Sequence, residues 1–218
     1  MSELKKYTDE LFENDCRIIN RSCRNVLGSS ISKELRAEHD FYATPLIATE
    51  KLIDTVKFDK DVGIYDPCVG KGHILKPFRD RGFVVRGTDI VARHDLWNKS
   101  VIYDGACNFL NYDKKIDENV VTNPPYKLAF EFVEHAIGLL ATGRQLCALL
   151  KIQFLETRRR YEFFKKYPPK YICVFSDRIS CIPGGCVENA IGGAMCFAWF
   201  VWQKDFSCEP VVKWLTLE

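Results

Sequence analysis

The chain contains 218 residues, of which 47% are hydrophobic, 28% charged and 13% aromatic. This composition excludes disordered, collagen-like and coiled-coil chains, and the length predicts one domain with at most a short appendage. The net charge of +2 is far from the strongly basic balance typical of nucleic-acid-binding proteins, so nucleic-acid contact would require a local basic patch.

The ten cysteines include no Cys-x-x-Cys pair, so their spacing indicates neither a disulfide framework nor a zinc site. The four histidines likewise have no spacing typical of metal ligands. Residues 1–6 lack the apolar core of a signal peptide, and no segment has the roughly 18 apolar residues of a membrane span. We therefore expect a cytoplasmic protein with free thiols, no metal and no membrane contact.

The predicted elements begin with residues 2–27, where spaced apolar side chains among many charges predict one or two amphipathic helices. We assign residues 1–38 to an N-terminal helical extension and 39–218 to the main domain. Strand-like and helix-like segments then alternate, at 62–65, 74–81, 83–85, 119–122, 128–140 and 146–151. This alternation predicts an α/β fold in which a parallel sheet carries helices on both faces.

The last two predicted strands, 171–175 and 194–202, are separated by a Gly-rich stretch and by no convincing helix. Strands joined without a crossover helix run antiparallel. We therefore expect a terminal antiparallel hairpin after the parallel part of the sheet.

A first motif follows the predicted strand at 62–65, where Asp66 and Pro67 lead into Gly70-Lys71-Gly72. Glycines let the backbone approach a ligand closely, and open α/β sheets bind ligands at the carboxyl ends of their strands. Asp89 follows Asp66 by 23 residues, close to the spacing of a ribose-hydroxyl acceptor. A third glycine is missing, and Asp66 would repel a pyrophosphate but pair with an ammonium group. The motif predicts a ligand with an amino-acid end and a ribose, and the alternative is a tight turn with a capping aspartate.

A second motif, Asn123-Pro124-Pro125-Tyr126, follows the apolar run at 119–122. Successive prolines cannot continue a strand, so they hold the backbone in an extended turn with its carbonyls free. The Asn123 side-chain oxygen and the Pro124 carbonyl suit an NH₂ group, and Tyr126 offers a flat face to a planar ring. The alternative is a proline turn that only ends the strand.

Together with the upstream Asp40-Phe41-Tyr42-Ala43-Thr44-Pro45, these motifs resemble those of the S-adenosylmethionine-dependent DNA N6-adenine methyltransferases, in the γ-type order. The resemblance covers about residues 39–203. The run 150–156, Leu-Lys-Ile-Gln-Phe-Leu-Glu, followed by three arginines, is similar to small phage-associated members. The resemblance implies a Rossmann-like methyltransferase fold with a mostly parallel seven-stranded sheet, and S-adenosylmethionine as cofactor.

The resemblance also implies residue roles. The cofactor would be bound by Tyr42, Thr44, Pro45, Asp66, Pro67, Gly70, Gly72, Asp89, Ile90, Asn108 and Phe109. Asn108 stands where family members often have Asp, and its oxygen could meet the adenine amino group of the cofactor. Phe109 would pack against the cofactor base or lie in the core. The Thr44-Pro45 pair is in addition typical of a helix N-cap and first turn.

For the substrate, the resemblance implies a flipped adenine in DNA, held by Asn123, Pro124, Pro125 and Tyr126, with Phe154 as a second apolar wall. Arg158, Arg159 and Arg160 are candidate DNA contacts, and a solvated helix face is the alternative. The loop 180–189 is a candidate to reach the target strand, and a partner subunit could supply target recognition. Alternative functions are an RNA adenine or protein-glutamine N-methyltransferase, or a non-catalytic subunit that binds cofactor or nucleic acid.

Overall fold

The computed structural model describes residues 42–91, 102–179, 181–183 and 195–217. The expected N-terminal helices, the boundary at residue 38 and most of the loop 180–189 lie outside these residues. The strands are β1 Tyr42–Ala43, β2 Ile64–Asp66, β3 Val85–Asp89, β4 Ile102–Ala106, β5 Asn119–Thr122, β6 Gln145–Lys151, β7 Tyr171–Phe175, β8 Ile182–Pro183, β9 Phe197–Gln203 and β10 Val211–Leu215. The α-helices are α1 Leu46–Thr55, α2 Leu75–Asp80, α3 Ala129–Leu139 and α4 Arg158–Lys166.

Eight of the described strands form one sheet in the order β10-β7-β9-β6-β5-β2-β3-β4. From β4 to β6 all neighbours are parallel, whereas β9 is antiparallel to both β6 and β7. The expected Rossmann-like methyltransferase fold is therefore confirmed. The expected number of seven strands is wrong by one, because β10 adds a further edge strand parallel to β7.

The expected antiparallel pair β7 and β9 is present, but β9 lies inside the sheet, between β6 and β7. Its sequence explains this position. Six of its seven residues, Phe197 to Trp202, are buried, and a continuous apolar run without alternation is typical of a strand that is covered on both faces.

Two hydrophobic cores flank the sheet, and they confirm that helices cover both faces. One contains Leu52 of α1 and Phe78 of α2 with Trp199 of β9. The other contains residues of α3 and α4 packed against the opposite face. The indole N–H of Trp199 donates to the Ala48 carbonyl at 2.9 Å and so ties β9 to α1. Among the described helices, none is long and apolar enough to cross a membrane.

The strand order reverses at β2, which has β3 on one side and β5 on the other. Because these strands are parallel, Asp66, Asp89 and Thr122 end at the same edge of the sheet. Ligands of open α/β sheets bind at such a reversal. β1 and β8 pair in a short second sheet, which shares no strand with the large sheet.

Candidate functional site

A cavity of about 530 Å³ opens at the carboxyl ends of the central strands, a volume within the range of small-molecule sites. Ten of the residues singled out from the sequence line it: Tyr42, Thr44, Asp66, Pro67, Asp89, Ile90, Asn108, Phe109, Asn123 and Pro125. These residues come from five separate segments of the chain, so the fold brings together what the sequence separates.

The glycine turn shapes one wall of the cavity without lining it. Gly70 and Gly72 have φ of 50° and 78°, a left-handed conformation that side chains disfavour. This turn directs the Gly70 N–H at Asp89 Oδ2, 2.8 Å away. The glycines therefore connect the turn after β2 to the carboxylate at the end of β3.

Asp89 is held by two backbone donors. Besides Gly70, the N–H of Val91 donates to Asp89 Oδ1 at 3.0 Å. The side chain is 6% exposed and faces the cavity. Hydrogen bonds to both oxygens fix the orientation of this side chain.

Asp66 is the more deeply buried of the two carboxyl groups, at 1% exposure. Its pKa is raised from 3.8 to about 7, mainly by burial and to a smaller extent by the nearby Asp89 charge, against the opposing effect of the Cys68 N–H and the Thr122 hydroxyl. The Cys68 N–H lies 3.0 Å from Asp66 Oδ1. A ligand with an ammonium group would favour the charged form of Asp66 and so gain binding energy there.

Asn123 presents a fixed amide at the cavity wall. Its Nδ2 donates to the Tyr42 carbonyl and to Thr44 Oγ1, both at 3.1 Å. Its Oδ1 is buried and has no hydrogen-bond partner among the described residues. A buried acceptor without a partner is costly, so this atom is suited to an N–H donor supplied by a ligand.

The two prolines separate the asparagine from the next helical turn. Pro124 is buried and does not line the cavity, whereas Pro125 does. The Pro125 carbonyl accepts from Leu128 N at 2.9 Å and begins the 3₁₀ turn Tyr126–Leu128. Outside the regular helices and strands, no described backbone N–H donates to the Pro124 carbonyl.

Tyr126 lies next to the cavity but is not part of its lining. Its ring centroid is 5.6 Å from that of Tyr42 and 5.8 Å from that of Phe197. The Lys151 ammonium lies over the same ring, 5.0 Å from its centroid. Tyr126 is therefore part of an aromatic cluster that also holds the end of β6.

The pair after β4 combines a cap with a core residue. Asn108 Oδ1 accepts from Leu110 N at 3.2 Å and caps the 3₁₀ turn Phe109–Asn111, so the oxygen that the resemblance assigns to an adenine already has a donor. Phe109 is 1% exposed, and its ring packs 5.4 Å from that of Phe132. Both residues also line the cavity. Phe109 is therefore a core residue that also forms part of the cavity wall.

Thr44 and Pro45 differ from the expected capping arrangement. Helix α1 begins at Leu46, with Pro45 at the N-cap and no side-chain capping bond. Pro45 is not part of the cavity lining. Thr44 Oγ1 accepts from Asn123 instead, because the tertiary contact provides a partner that a local cap would otherwise supply.

The structure does not place Phe154 at the cavity. Phe154 is 4% exposed, and its ring packs against Phe130, Phe200 and Trp202 at centroid distances of 6.5, 5.6 and 6.4 Å. A side chain enclosed in this way presents no free face to a substrate. The role of Phe154 as a second apolar wall stays a prediction, and this packing gives the residue a core position.

The three arginines begin α4 and lie away from the cavity lining. Arg159 pairs with Glu131 at 3.2 Å and covers the Phe130 ring at 4.0 Å. Arg160 donates to the Gln153 carbonyl at 3.1 Å. Arg158 is exposed. Its described contacts restrain it less than those of Arg159 and Arg160 do.

Other lining residues were not singled out from the sequence: Ala43, Cys68, Val69, His73, Ile74, Cys107, Leu110, Lys127, Leu128 and Phe132. Several of them stand inside or directly beside the motifs, and this proximity in sequence could have identified them. Phe132 carries no such signal, because it reaches the cavity through helix packing. Among the described residues, no group of three potential metal ligands occurs.

No family model matches the sequence, and no curated protein matches it. Solved structures do match. A modification subunit assigned to a type I restriction enzyme from Vibrio vulnificus has a TM-score of 0.62 at 12% identity, over 98% of this chain and 52% of its own. A protein from Listeria monocytogenes assigned to the class I S-adenosylmethionine-dependent methyltransferases has a TM-score of 0.59 at 14% identity, over 96% of this chain and 73% of its own.

A third similar structure is a predicted O-methyltransferase from Agrobacterium tumefaciens, with a TM-score of 0.57 at 13% identity, over 79% of this chain and 86% of its own. At these identities the likeness shows the fold alone. The three proteins are described with different activities, so a choice of substrate has to come from the side chains of the site.

Proposed function

We propose that this chain transfers a methyl group from S-adenosylmethionine to the N6 amino group of an adenine in DNA. One observation carries the proposal: the cavity wall holds a buried amide oxygen, Asn123 Oδ1, without a hydrogen-bond partner among the described residues. The nitrogen of the same amide is held by Tyr42 and Thr44. The oxygen is therefore a fixed acceptor for an N–H, as an amine substrate requires.

The cavity suits the proposed cofactor. Asp66 is buried with a raised pKa, and a cofactor ammonium group would stabilise its charged form. Asp89, at the end of the next strand, lines the same cavity and would accept from ribose hydroxyls. Apolar walls from Phe109 and Ile90 suit a purine ring. When bound, the cofactor supplies the sulfonium methyl group that is transferred.

The chain's own residues would activate the target amine. The lone pair of adenine N6 is delocalised into the ring, so the nitrogen has to become more tetrahedral as it attacks. Acceptors at Asn123 Oδ1 and the Pro124 carbonyl stabilise the positive charge that then develops on the nitrogen. The fixed amide also holds the amine in one orientation. An amide cannot retain the released proton at neutral pH, so the proton is lost to solvent.

DNA as the substrate implies base flipping, because N6 lies inside the duplex. Tyr126 beside the acceptors offers the ring on which an extruded base would stack. The exposed cations of α4 offer phosphate contacts. The Vibrio vulnificus protein of similar fold is a subunit of a restriction enzyme, which supports a partner subunit for target recognition as part of the proposal.

The test incubates the purified chain and an Asn123→Ala variant with labelled S-adenosylmethionine and, separately, with unmethylated DNA, RNA and a protein extract. We expect label in DNA with the wild-type chain and not with the Asn123→Ala variant. After digestion, mass spectrometry should identify the modified nucleoside as N6-methyladenine. Label in RNA or in glutamine side chains would contradict DNA as the substrate and identify RNA or protein instead. Cofactor binding without any transfer would favour a non-catalytic subunit.

A further inference from the structure

Lys151 differs in its contacts from four other half-buried lysines. Lys76, Lys170, Lys204 and Lys213 each have an oxygen acceptor for the ammonium, at 2.7 to 3.1 Å. For Lys151 the structure records the face of the Tyr126 ring, 5.0 Å from its centroid, and no carboxylate or carbonyl among the described residues. Among the described residues, the recorded partner of this ammonium is therefore an aromatic ring and not an anion.

The location of Lys151 relates it to the proposed substrate. It is the last residue of β6, paired with Phe197, and Phe197 packs against Tyr126. Tyr126 is three residues after Asn123, the proposed amine acceptor. Lys151 does not line the cavity in which the cofactor would lie. The ammonium therefore lies beside the residue proposed to stack the target base and outside the cavity proposed for the cofactor.

We propose that Lys151 binds the backbone phosphate of the target nucleotide. This inference rests on the proposed function, since it requires a nucleotide whose base lies against Tyr126. A base that stacks on this ring competes with the ammonium for the same aromatic surface. Phosphate is the stronger partner, because a charge-assisted hydrogen bond exceeds a cation–π contact at a partly exposed site. The flexible lysine stem lets the ammonium move from the ring to the phosphate.

The experiment measures the steady-state rates of methyl transfer to unmethylated plasmid DNA at several salt concentrations, for the wild-type chain, Lys151→Met and Lys151→Arg. Methionine keeps the length and apolar stem without the charge. We expect Lys151→Met to raise the KM for DNA about tenfold, to change kcat less than about threefold, and to lower the salt slope by about 0.9, the contribution of one phosphate contact. Lys151→Arg restores the slope.

Lys213→Met is the matched control, because Lys213 is also half-buried and lies over an aromatic ring, that of Tyr171, at 4.0 Å. It is on the edge strand β10, and its salt slope should equal that of the wild-type chain. An unchanged slope in Lys151→Met would overturn the inference. So would a loss of cofactor affinity in that variant, since Lys151 would then hold a cofactor group. A wild-type chain that fails to methylate DNA would overturn the proposed function itself, whatever the variants do.

Discussion

The amide nitrogen of Asn123 lies 3.1 Å from Thr44 Oγ1, although 79 residues separate them in the chain. This hydrogen bond joins the segment before α1 to the turn after β5. It determines which end of the Asn123 amide faces the cavity, since the nitrogen is bound and the oxygen is not. The orientation of this amide is the basis for the first two predictions.

Asn123→Ala should lower kcat for methyl transfer by a factor of about 10² to 10³, the usual effect of removing a group that stabilises a developing charge. The cofactor Kd, measured by calorimetry, should stay within about threefold, because Asp66 and Asp89 remain. Transfer that persists within a few-fold of wild type would exclude Asn123 as the amine acceptor.

Thr44→Val should lower kcat by about three- to tenfold, since the amide loses one of its two restraints, worth about 1 kcal/mol. Thr44→Ser keeps the hydroxyl and serves as the control, with a rate close to that of wild type. The comparison is made in single-turnover rates at saturating cofactor. Equal rates for the valine and serine variants would show that the Thr44 hydroxyl does not orient Asn123.

Cofactor affinity should decrease as the pH falls below about 7. Burial raises the pKa of Asp66 to about 7, and pairing with an ammonium group requires the charged form. Below the pKa the bound state therefore has to release the Asp66 proton, which costs about tenfold in affinity per pH unit. Above about pH 8 the affinity should fall again, because the cofactor ammonium then loses its proton.

The Asp66→Asn variant supplies the control for this pH dependence. It should bind cofactor more weakly at pH 8, and its affinity should vary little between pH 6 and 8. Calorimetric titrations of both proteins at matched ionic strength make the comparison. A variant that keeps the wild-type pH profile would assign the titration to a group other than Asp66.

Phe154→Ala should destabilise the fold rather than alter the substrate site. The ring is enclosed by other aromatic residues, and truncation of a buried phenylalanine costs about 3 to 5 kcal/mol. Urea unfolding measures this loss, and KM for DNA is then compared under conditions where the variant is folded. A variant that is as stable as wild type but has a raised KM for DNA would show that Phe154 contacts the substrate.

Arg158→Ala should weaken DNA binding and lower the salt slope by about 0.9, because one phosphate contact is removed. Arg159→Ala is the comparison. Its guanidinium is already paired with Glu131 and stacked on Phe130, so a smaller slope change is expected. Fluorescence anisotropy with a labelled duplex gives both slopes. If both variants keep the salt slope of the wild-type chain, this helix surface faces solvent and does not contact DNA.

The sequence by itself determined the local features. The apolar run at 119–122 is a strand with those bounds, and the alternation of strand and helix patterns yielded the α/β fold. Gly70 and Gly72 take the positive φ that only glycine adopts readily. These features depend on residues close together in the chain, whose periodicity and backbone preferences are visible in the sequence.

The tertiary structure alone decided the contacts between distant segments. Nothing local indicated that Thr44 would bind Asn123 instead of capping α1, that Phe154 would be enclosed in the core, or that β9 would insert between β6 and β7. The edge strand β10 was missed for a related reason, because its exposed residues resemble a loop until β7 provides a hydrogen-bonding partner. Each of these outcomes depends on packing and strand order, since the free energy of burying a side chain or pairing a strand is set by neighbours that are remote in sequence.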